Sequence, residues 1–174
     1  MHSAMHNNAK IHLKKAGYDS DEDISNMPES ERKAYAIKMR NSVKPAKLLY
    51  DDSGASIDYE SFSSDSESEY DPSSKTVWLH SRSFTTVKHL FINLMHEGSH
   101  AWDHAQGLYA VWRTVGGETY RKAATEVRAY NMERWFGGSI RNQSYYSTYL
   151  NQANSMFANY QVRSFPIFFN NISK

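Results

Sequence analysis

The chain has 174 residues, of which 40% are hydrophobic and 14% aromatic, so whole-chain disorder is excluded and one domain spanning residues 1–174 is expected. It contains no cysteine, which excludes disulfides, thiolate nucleophiles and cysteine-ligated zinc, and leaves histidines and carboxylates to hold any metal. The net charge is +1 and the basic residues are dispersed without a recognised nucleic-acid-binding motif, so we expect no nucleic-acid partner.

The sequence shows no sign of membrane insertion or of a cleaved export signal. Its first residues lack the apolar core of a secretory signal peptide, and no run approaches the roughly 18 apolar residues that cross a bilayer. We therefore expect no membrane span. The protein is expected to leave the cell without a cleaved signal peptide, or otherwise to work in the cytoplasm.

In chain order, the first predicted elements are two helices and two short strands. Residues 3–16 have a weak helical pattern, and a second helix is predicted from about Pro28 to about Val43. Residues 46–50 and 55–60 are predicted to be strands. This first part of the chain carries no motif that indicates chemistry.

An acidic segment follows. Residues 51–71 hold eight of the nineteen acidic side chains and no Lys or Arg, so the rest of the chain has 20 basic against 11 acidic residues. Residues 61–74, rich in serine and acid, cannot bury enough apolar surface to order themselves, and we predict a mobile loop there. This segment is interpreted as an acidic surface loop or, alternatively, as a flap that screens a basic groove.

The clearest predicted elements lie in the second half of the chain. Residues 75–81 alternate in polarity and are rich in β-forming residues, which predicts a strand. A long helix follows, capped by Thr85 or Thr86 and stopped at Gly107. One extended segment and two helices are then predicted, at residues 108–115, 118–136 and 142–160. The expected class is α+β, mainly helical, with a small mixed or antiparallel sheet.

The sequence HEGSH at residues 96–100 is an H-E-x-x-H motif on the long helix. Residues four apart on a helix differ by about 40° in direction and about 6 Å in height, so His96 and His100 can reach one ion. Zinc accepts imidazoles at about 2.0–2.1 Å, and three protein ligands leave one position for water, whose proton Glu97 can take. Gly98, a poor helix residue, fits a helix packed closely against a neighbour or a substrate.

Residues 75–136 present a strand, an H-E-x-x-H helix and a glutamate-bearing helix, and this order resembles the zincin metallopeptidases, specifically their gluzincin branch. The related metzincin pattern fails, because residue 106 is Gln. In its small size, and in its lack of cysteine and of a signal peptide, the chain resembles the compact metallopeptidase domains of bacterial effectors and polymorphic toxins. The resemblance implies a zinc endopeptidase acting on a target-cell protein, with an immunity protein or a secretion chaperone as further partners. It also implies that strand 75–81 is an edge strand that binds an extended protein or peptide substrate.

The resemblance to gluzincins implies that the third metal ligand comes from the next helix. Glu126, mid-helix among small alanines, is the expected ligand; Glu133, seven residues on, is the alternative, or it orients a ligand histidine from behind. Glu118 is interpreted as a partner of the helix dipole. His104 lies four residues after His100, but three ligands on successive turns span about 12 Å, so His104 is interpreted as a supporting or surface residue.

Peptide hydrolysis also needs a donor for the oxyanion. Tyr130, one turn after the expected glutamate ligand, is the predicted donor, and Tyr109, Tyr120 and Arg128 are weaker candidates. Two other functions stay open at this point. One is a hydrolase of cell-wall peptide, and the other is a non-enzymatic, zinc-stabilised binding module in which four ligands saturate the metal and Glu97 is dispensable.

Overall fold

The computed structural model describes residues 8–61, 66–138 and 143–156. In chain order, these residues form α1 (Asn8–Lys15), α2 (Glu29–Ser42), α3 (Lys44–Ser53), β1 (Ser56–Glu60), β2 (Ser68–Asp71), β3 (Thr76–His80), α4 (Val87–Ala105), α5 (Leu108–Trp135) and α6 (Gln143–Met156). The elements are mainly helical with one small mixed sheet, which confirms the predicted α+β class. Among these residues, no helix combines the length and the apolar character needed to cross a membrane.

β3 is the central strand of the sheet, whose order is β1-β3-β2. β1 pairs with it in parallel and β2 pairs with it antiparallel. The prediction that residues 75–81 form an edge strand is therefore wrong, because both edges of β3 are paired. Four of its five residues are buried, as expected of a strand covered on both faces. An extended substrate cannot pair with β3, and β2 is the edge strand that contacts α4.

Two segments that were predicted to be extended are helical. Residues 46–50 belong to α3, which ends at Gly54 in the left-handed conformation (φ 68°). Residues 108–115 belong to α5, where Tyr109 and Trp112 bury the same helical face. Both predictions were wrong because a short apolar run does not distinguish a strand from a helix, and in both segments the buried side chains recur at helical spacing.

The acidic segment is partly ordered into the sheet. The loop predicted for residues 61–74 is wrong for Ser68–Asp71, which form β2, and residues 62–65 lie outside the described part of the chain. The predicted strand at residues 55–60 is confirmed as β1. The helices predicted near both ends correspond to α1 and α6 where residues are described; residues 3–7, 142 and 157–160 are not among them.

α4 is the element on which the rest of the fold is assembled, since it packs against α3, α5 and the sheet. Thr86 caps its start, where Oγ1 accepts a hydrogen bond of 3.1 Å from the backbone N–H of His89. At Gly98, a Cβ atom would lie 2.7 Å from Cδ2 of Leu49 and 2.8 Å from the ring of Tyr50. The close packing predicted from this glycine is confirmed, and the neighbour is α3.

α5 is broken in its middle by two glycines. Gly116 (φ −141°, ψ 15°) and Gly117 (φ 74°, ψ −171°) are not helical, and the conformation of Gly117 is one that side chains exclude. The break divides α5 into a first segment, residues 108–115, and a second segment, residues 118–135. The second segment corresponds to the predicted helix 118–136 and carries the glutamates of the candidate site.

Candidate metal centre

The structure brings His96 and His100 together in a cleft formed by α4, α5 and the β2 region. Their Nε2 atoms lie 3.2 Å apart, and their side chains are only 12% and 9% exposed. The helical spacing of the motif thus produces two converging nitrogen atoms in a largely buried position. Neutral imidazoles in this arrangement can serve as two ligands of one ion.

Glu126 supplies a third converging group from the second segment of α5. Its carboxylate oxygens lie 3.8 Å from Nε2 of His96 and 3.8 Å from Nε2 of His100. Around tetrahedral zinc with bonds of about 2.0–2.1 Å, neighbouring ligand atoms are about 3.3–3.4 Å apart, which is close to these separations. In the part of the chain that the structure describes, these three residues are the one histidine–carboxylate group that fits a single metal ion.

Glu133 contacts Nδ1 of His96, the ring nitrogen that does not take part in the convergence with His100 and Glu126. Its Oε1 is 2.6 Å from Nδ1 of His96, so the ring donates its Nδ1 hydrogen to the carboxylate. When His96 is neutral, this arrangement leaves its Nε2 lone pair directed toward Glu126 and His100. Of the two roles considered for Glu133, the geometry supports the orienting role.

A series of buried hydrogen bonds orients the ring of His100, as Glu133 orients the ring of His96. Nδ1 of His100 lies 2.7 Å from Oγ1 of Thr125, and the Thr125 hydroxyl donates to Asp103 Oδ2 at 3.3 Å. Arg128 Nε donates to Asp103 Oδ1 at 2.9 Å, and both of these charged side chains are buried. Arg128, named above as a weak oxyanion candidate, is therefore held away from the cleft. Thr125 and Asp103 were missed; the available signal was an acid one turn after His100, on the buried face of α4.

Glu97 lines the same cleft as the two histidines and is 5% exposed. The hydroxyl of Ser68, on β2, donates to Glu97 Oε1 at 2.8 Å. Burial raises the pKa of Glu97 to about 7, against the opposing effects of the His96 charge and the Ser68 hydrogen bond. A carboxylate with such a pKa suits proton transfer near neutral pH, since a general base works best near the operating pH.

The pKa values of the two histidines are shifted in opposite directions. Burial alone would lower the pKa of His96, but the hydrogen bond to Glu133 and the charges of Glu97, Glu133 and Glu126 raise it to about 9. Burial and the charge of His96 hold the pKa of His100 well below its usual value. In the metal-free protein at neutral pH, His96 therefore carries an additional proton, whereas His100 is neutral. A metal ion must replace this proton.

Tyr130 lies beside the converging atoms. Its ring packs edge-on against the ring of His96, with centroids 5.2 Å apart, and it lines the cleft. Burial raises its pKa, which keeps the hydroxyl protonated and able to donate. Tyr120 is fully buried and does not line the cleft. The structure therefore favours Tyr130 over Tyr120 as the donor.

The cleft encloses about 1330 Å³ and differs between its two ends. At one end, Glu67 lies 2.8 Å from Nε2 of His89. At the other end, Tyr70 lines the cleft and its hydroxyl lies 2.9 Å from Nδ1 of His104, which neither lines the cleft nor belongs to the candidate metal-binding group. Tyr109 lies beside His104, with ring centroids 5.2 Å apart, at this second end.

The sequence matches no protein-family model, and neither a curated protein nor a solved structure matches the chain. The resemblance to zincin metallopeptidases is thus carried by the motif and by the arrangement of the residues around it.

Proposed function

We propose that this protein is a zinc-dependent endopeptidase that hydrolyses a peptide bond with a metal-activated water. The observation that carries the proposal is the convergence of the His96, His100 and Glu126 ligand atoms within 4.8 Å of one another, in a cleft that Glu97 also lines. Three ligands leave a vacant corner on a tetrahedral ion, which is the arrangement of catalytic rather than structural zinc sites.

A bound zinc ion would lower the pKa of its water to about 7 and polarise the carbonyl of the substrate. Glu97 would accept a proton from that water and pass it to the leaving amine, and the Ser68 hydrogen bond holds its carboxylate in place. The hydroxyl of Tyr130 is proposed to donate to the oxyanion. Glu133 and Thr125 hold the two imidazoles in the tautomer that leaves each Nε2 available.

β2 replaces strand 75–81 as the proposed partner of the substrate. Residues 66–70 line the cleft, and among the described strands only β3 pairs with β2. The other edge of β2 can therefore form main-chain hydrogen bonds with an extended peptide. The substrate is proposed to be a protein of a target cell, as the resemblance to bacterial effectors and toxins implies.

A non-enzymatic zinc module is the alternative from another class. A structural zinc site is closed by four protein ligands, but the group found among the described residues has three. The buried carboxylate of Glu97, hydrogen-bonded beside the site, has a role in hydrolysis and none in such a module. Both observations favour the enzyme.

Glu97→Gln separates these functions. The variant should retain one zinc per chain and the thermal stability of the wild type, yet lose at least about 100-fold in cleavage, because the general base is gone. Cleavage is measured by sequencing new N-termini in a cell lysate, and Glu60→Gln, on the exposed end of β1, is the matched control. Wild-type activity in Glu97→Gln would refute the catalytic role, and a wild type that releases no new N-termini would support the binding module.

A further inference from the structure

Arg121 is a fixed positive charge in the wall of the cleft. It lies on the second segment of α5, one helical turn before Thr125, and its side chain is only 16% exposed. Its guanidinium lies over the buried ring of Tyr109, 4.6 Å from the ring centroid. Stacking on an aromatic ring holds the cation in one place while its N–H groups stay available.

The carboxylate now bound to Arg121 is an exposed one. Arg121 Nε donates to Oε1 of Glu118 at 2.8 Å, and Nη2 donates to the same oxygen. Glu118 is 59% exposed, and its other oxygen is bound by the equally exposed Arg113. Water and salt reach this pair from the side of Glu118, which is mostly exposed, so another carboxylate can compete with Glu118 for Arg121. A guanidinium has five N–H donors, of which Glu118 occupies two.

The position of Arg121 is within reach of a substrate bound at the metal-binding residues. It precedes Glu126 by five residues, which corresponds to about 7.5 Å along the helix axis. A peptide extended along α5 advances about 3.3 Å per residue, so Arg121 would meet its second or third residue from the cleaved bond. Lys122, the next residue in the sequence, also lines the cleft and adds a second positive charge to its wall.

We propose that Arg121 forms a subsite for an aspartate or glutamate side chain of the peptide substrate, two or three residues from the cleaved bond. Glu118 occupies this subsite in the absence of substrate. The inference rests on the proposed peptidase function and adds a substrate class to it: extended peptides with an acidic residue on one side of the scissile bond. Tyr109 is the positioning residue that holds the cation in place.

The test uses two variants with opposite expected effects. Zinc-loaded Glu97→Gln protein provides the inactive background, and fluorescence anisotropy measures its affinity for a peptide library with Glu or Gln at each position. Glu at one position should strengthen binding about tenfold over Gln. Adding Arg121→Gln should remove this preference, and adding Glu118→Gln should tighten binding of the Glu peptide. Lys47→Gln, an exposed cation of a helical ion pair far from the cleft, is the matched control.

A purely structural ion pair predicts something different. Both Arg121→Gln and Glu118→Gln would then shift affinity in the same direction, for Glu and Gln peptides alike, and the proposal would be overturned. Equal binding of Glu and Gln peptides at every position would overturn it as well. Because binding is measured without turnover, these results are separate from the lysate experiment, whose failure would remove the peptidase function but not a carboxylate-binding subsite.

Discussion

Glu133 accepts a hydrogen bond from Nδ1 of His96 across 2.6 Å, so a carboxylate of α5 orients a ring of α4 that belongs to the candidate metal site. Glu133→Gln replaces this charged acceptor by a weaker neutral one. We expect the zinc affinity to fall about 10- to 100-fold, with one ion still bound per chain at saturation. Competition with a chromophoric chelator measures this affinity.

The comparison with Glu126→Gln decides which glutamate is the ligand. Glu126→Gln should lower zinc affinity further than Glu133→Gln, because it alters the donor set itself. The exposed Glu60→Gln should leave it unchanged. The opposite ranking, with binding lost in Glu133→Gln and kept in Glu126→Gln, would assign Glu133 as the third ligand.

Asp103→Ala removes the partner of Arg128 in the interior. Asp103 is 0% and Arg128 is 3% exposed, so the variant leaves a buried positive charge without its carboxylate. We expect the free energy of unfolding to fall by about 3–5 kcal/mol, measured by urea denaturation of the metal-free protein.

Asp51→Ala is the matched control for this buried pair. Asp51 binds Arg40 and Lys47 at the surface, with its side chain 40% exposed, and its loss should cost less than about 1 kcal/mol. The double variant Asp103→Leu/Arg128→Met, which replaces both charges, should recover much of the lost stability. If Asp103→Ala and Asp51→Ala lowered the free energy of unfolding equally, the buried ion pair would contribute no more to stability than the surface one.

Gly98→Ala tests the close approach of α4 and α3. Alanine favours a helix over glycine by about 1 kcal/mol, but the added methyl would overlap Leu49 and Tyr50. We expect a net destabilisation of about 1–3 kcal/mol by urea denaturation. Ser99→Ala, at the adjacent motif position, removes a buried hydroxyl for which the described residues offer no hydrogen-bond partner, and should cost little. A Gly98→Ala protein as stable as wild type would mean that the helices can separate freely.

Zinc affinity should depend on pH because the ion replaces a proton. His96 has a pKa of about 9 in the metal-free protein, so below that pH it is mostly protonated and zinc must release one proton on binding. Affinity should therefore fall about tenfold per pH unit between pH 8.5 and 7, as chelator competition at constant ionic strength can show. In Glu133→Gln, which lowers the pKa of His96, this dependence should begin at a lower pH. A flat profile in the wild type would contradict the additional proton on His96.

The histidine pair could be predicted from sequence because it depends only on helical geometry. The third ligand could not be decided, since Glu126 and Glu133 are seven residues apart and lie on about the same face of one helix. Only the packing of α5 on α4 shows which of them is level with the Nε2 atoms and which is level with Nδ1 of His96.

The strand order could not be predicted because pairing in the sheet is non-local. Residues 68–71 (SEYD) lack the apolar alternation of a half-buried strand, and their partner in the sheet is β3. The resemblance to zincins placed residues 75–81 at an edge of the sheet, and nothing in the local sequence indicated that β2 pairs with their second side. Ser68 was missed for the same reason, since its contact with Glu97 exists only when β2 is formed.

The double glycine of α5 has a consequence for length variation. In an unbroken helix, one inserted residue would rotate everything downstream by about 100° and carry Glu126 away from the two histidines. At Gly116 and Gly117 the helical phase is reset, so the rotation of residues 118–135 is set by their own packing on α4. The orientation of Glu126 toward the two histidines therefore does not depend on helical continuity with residues 108–115.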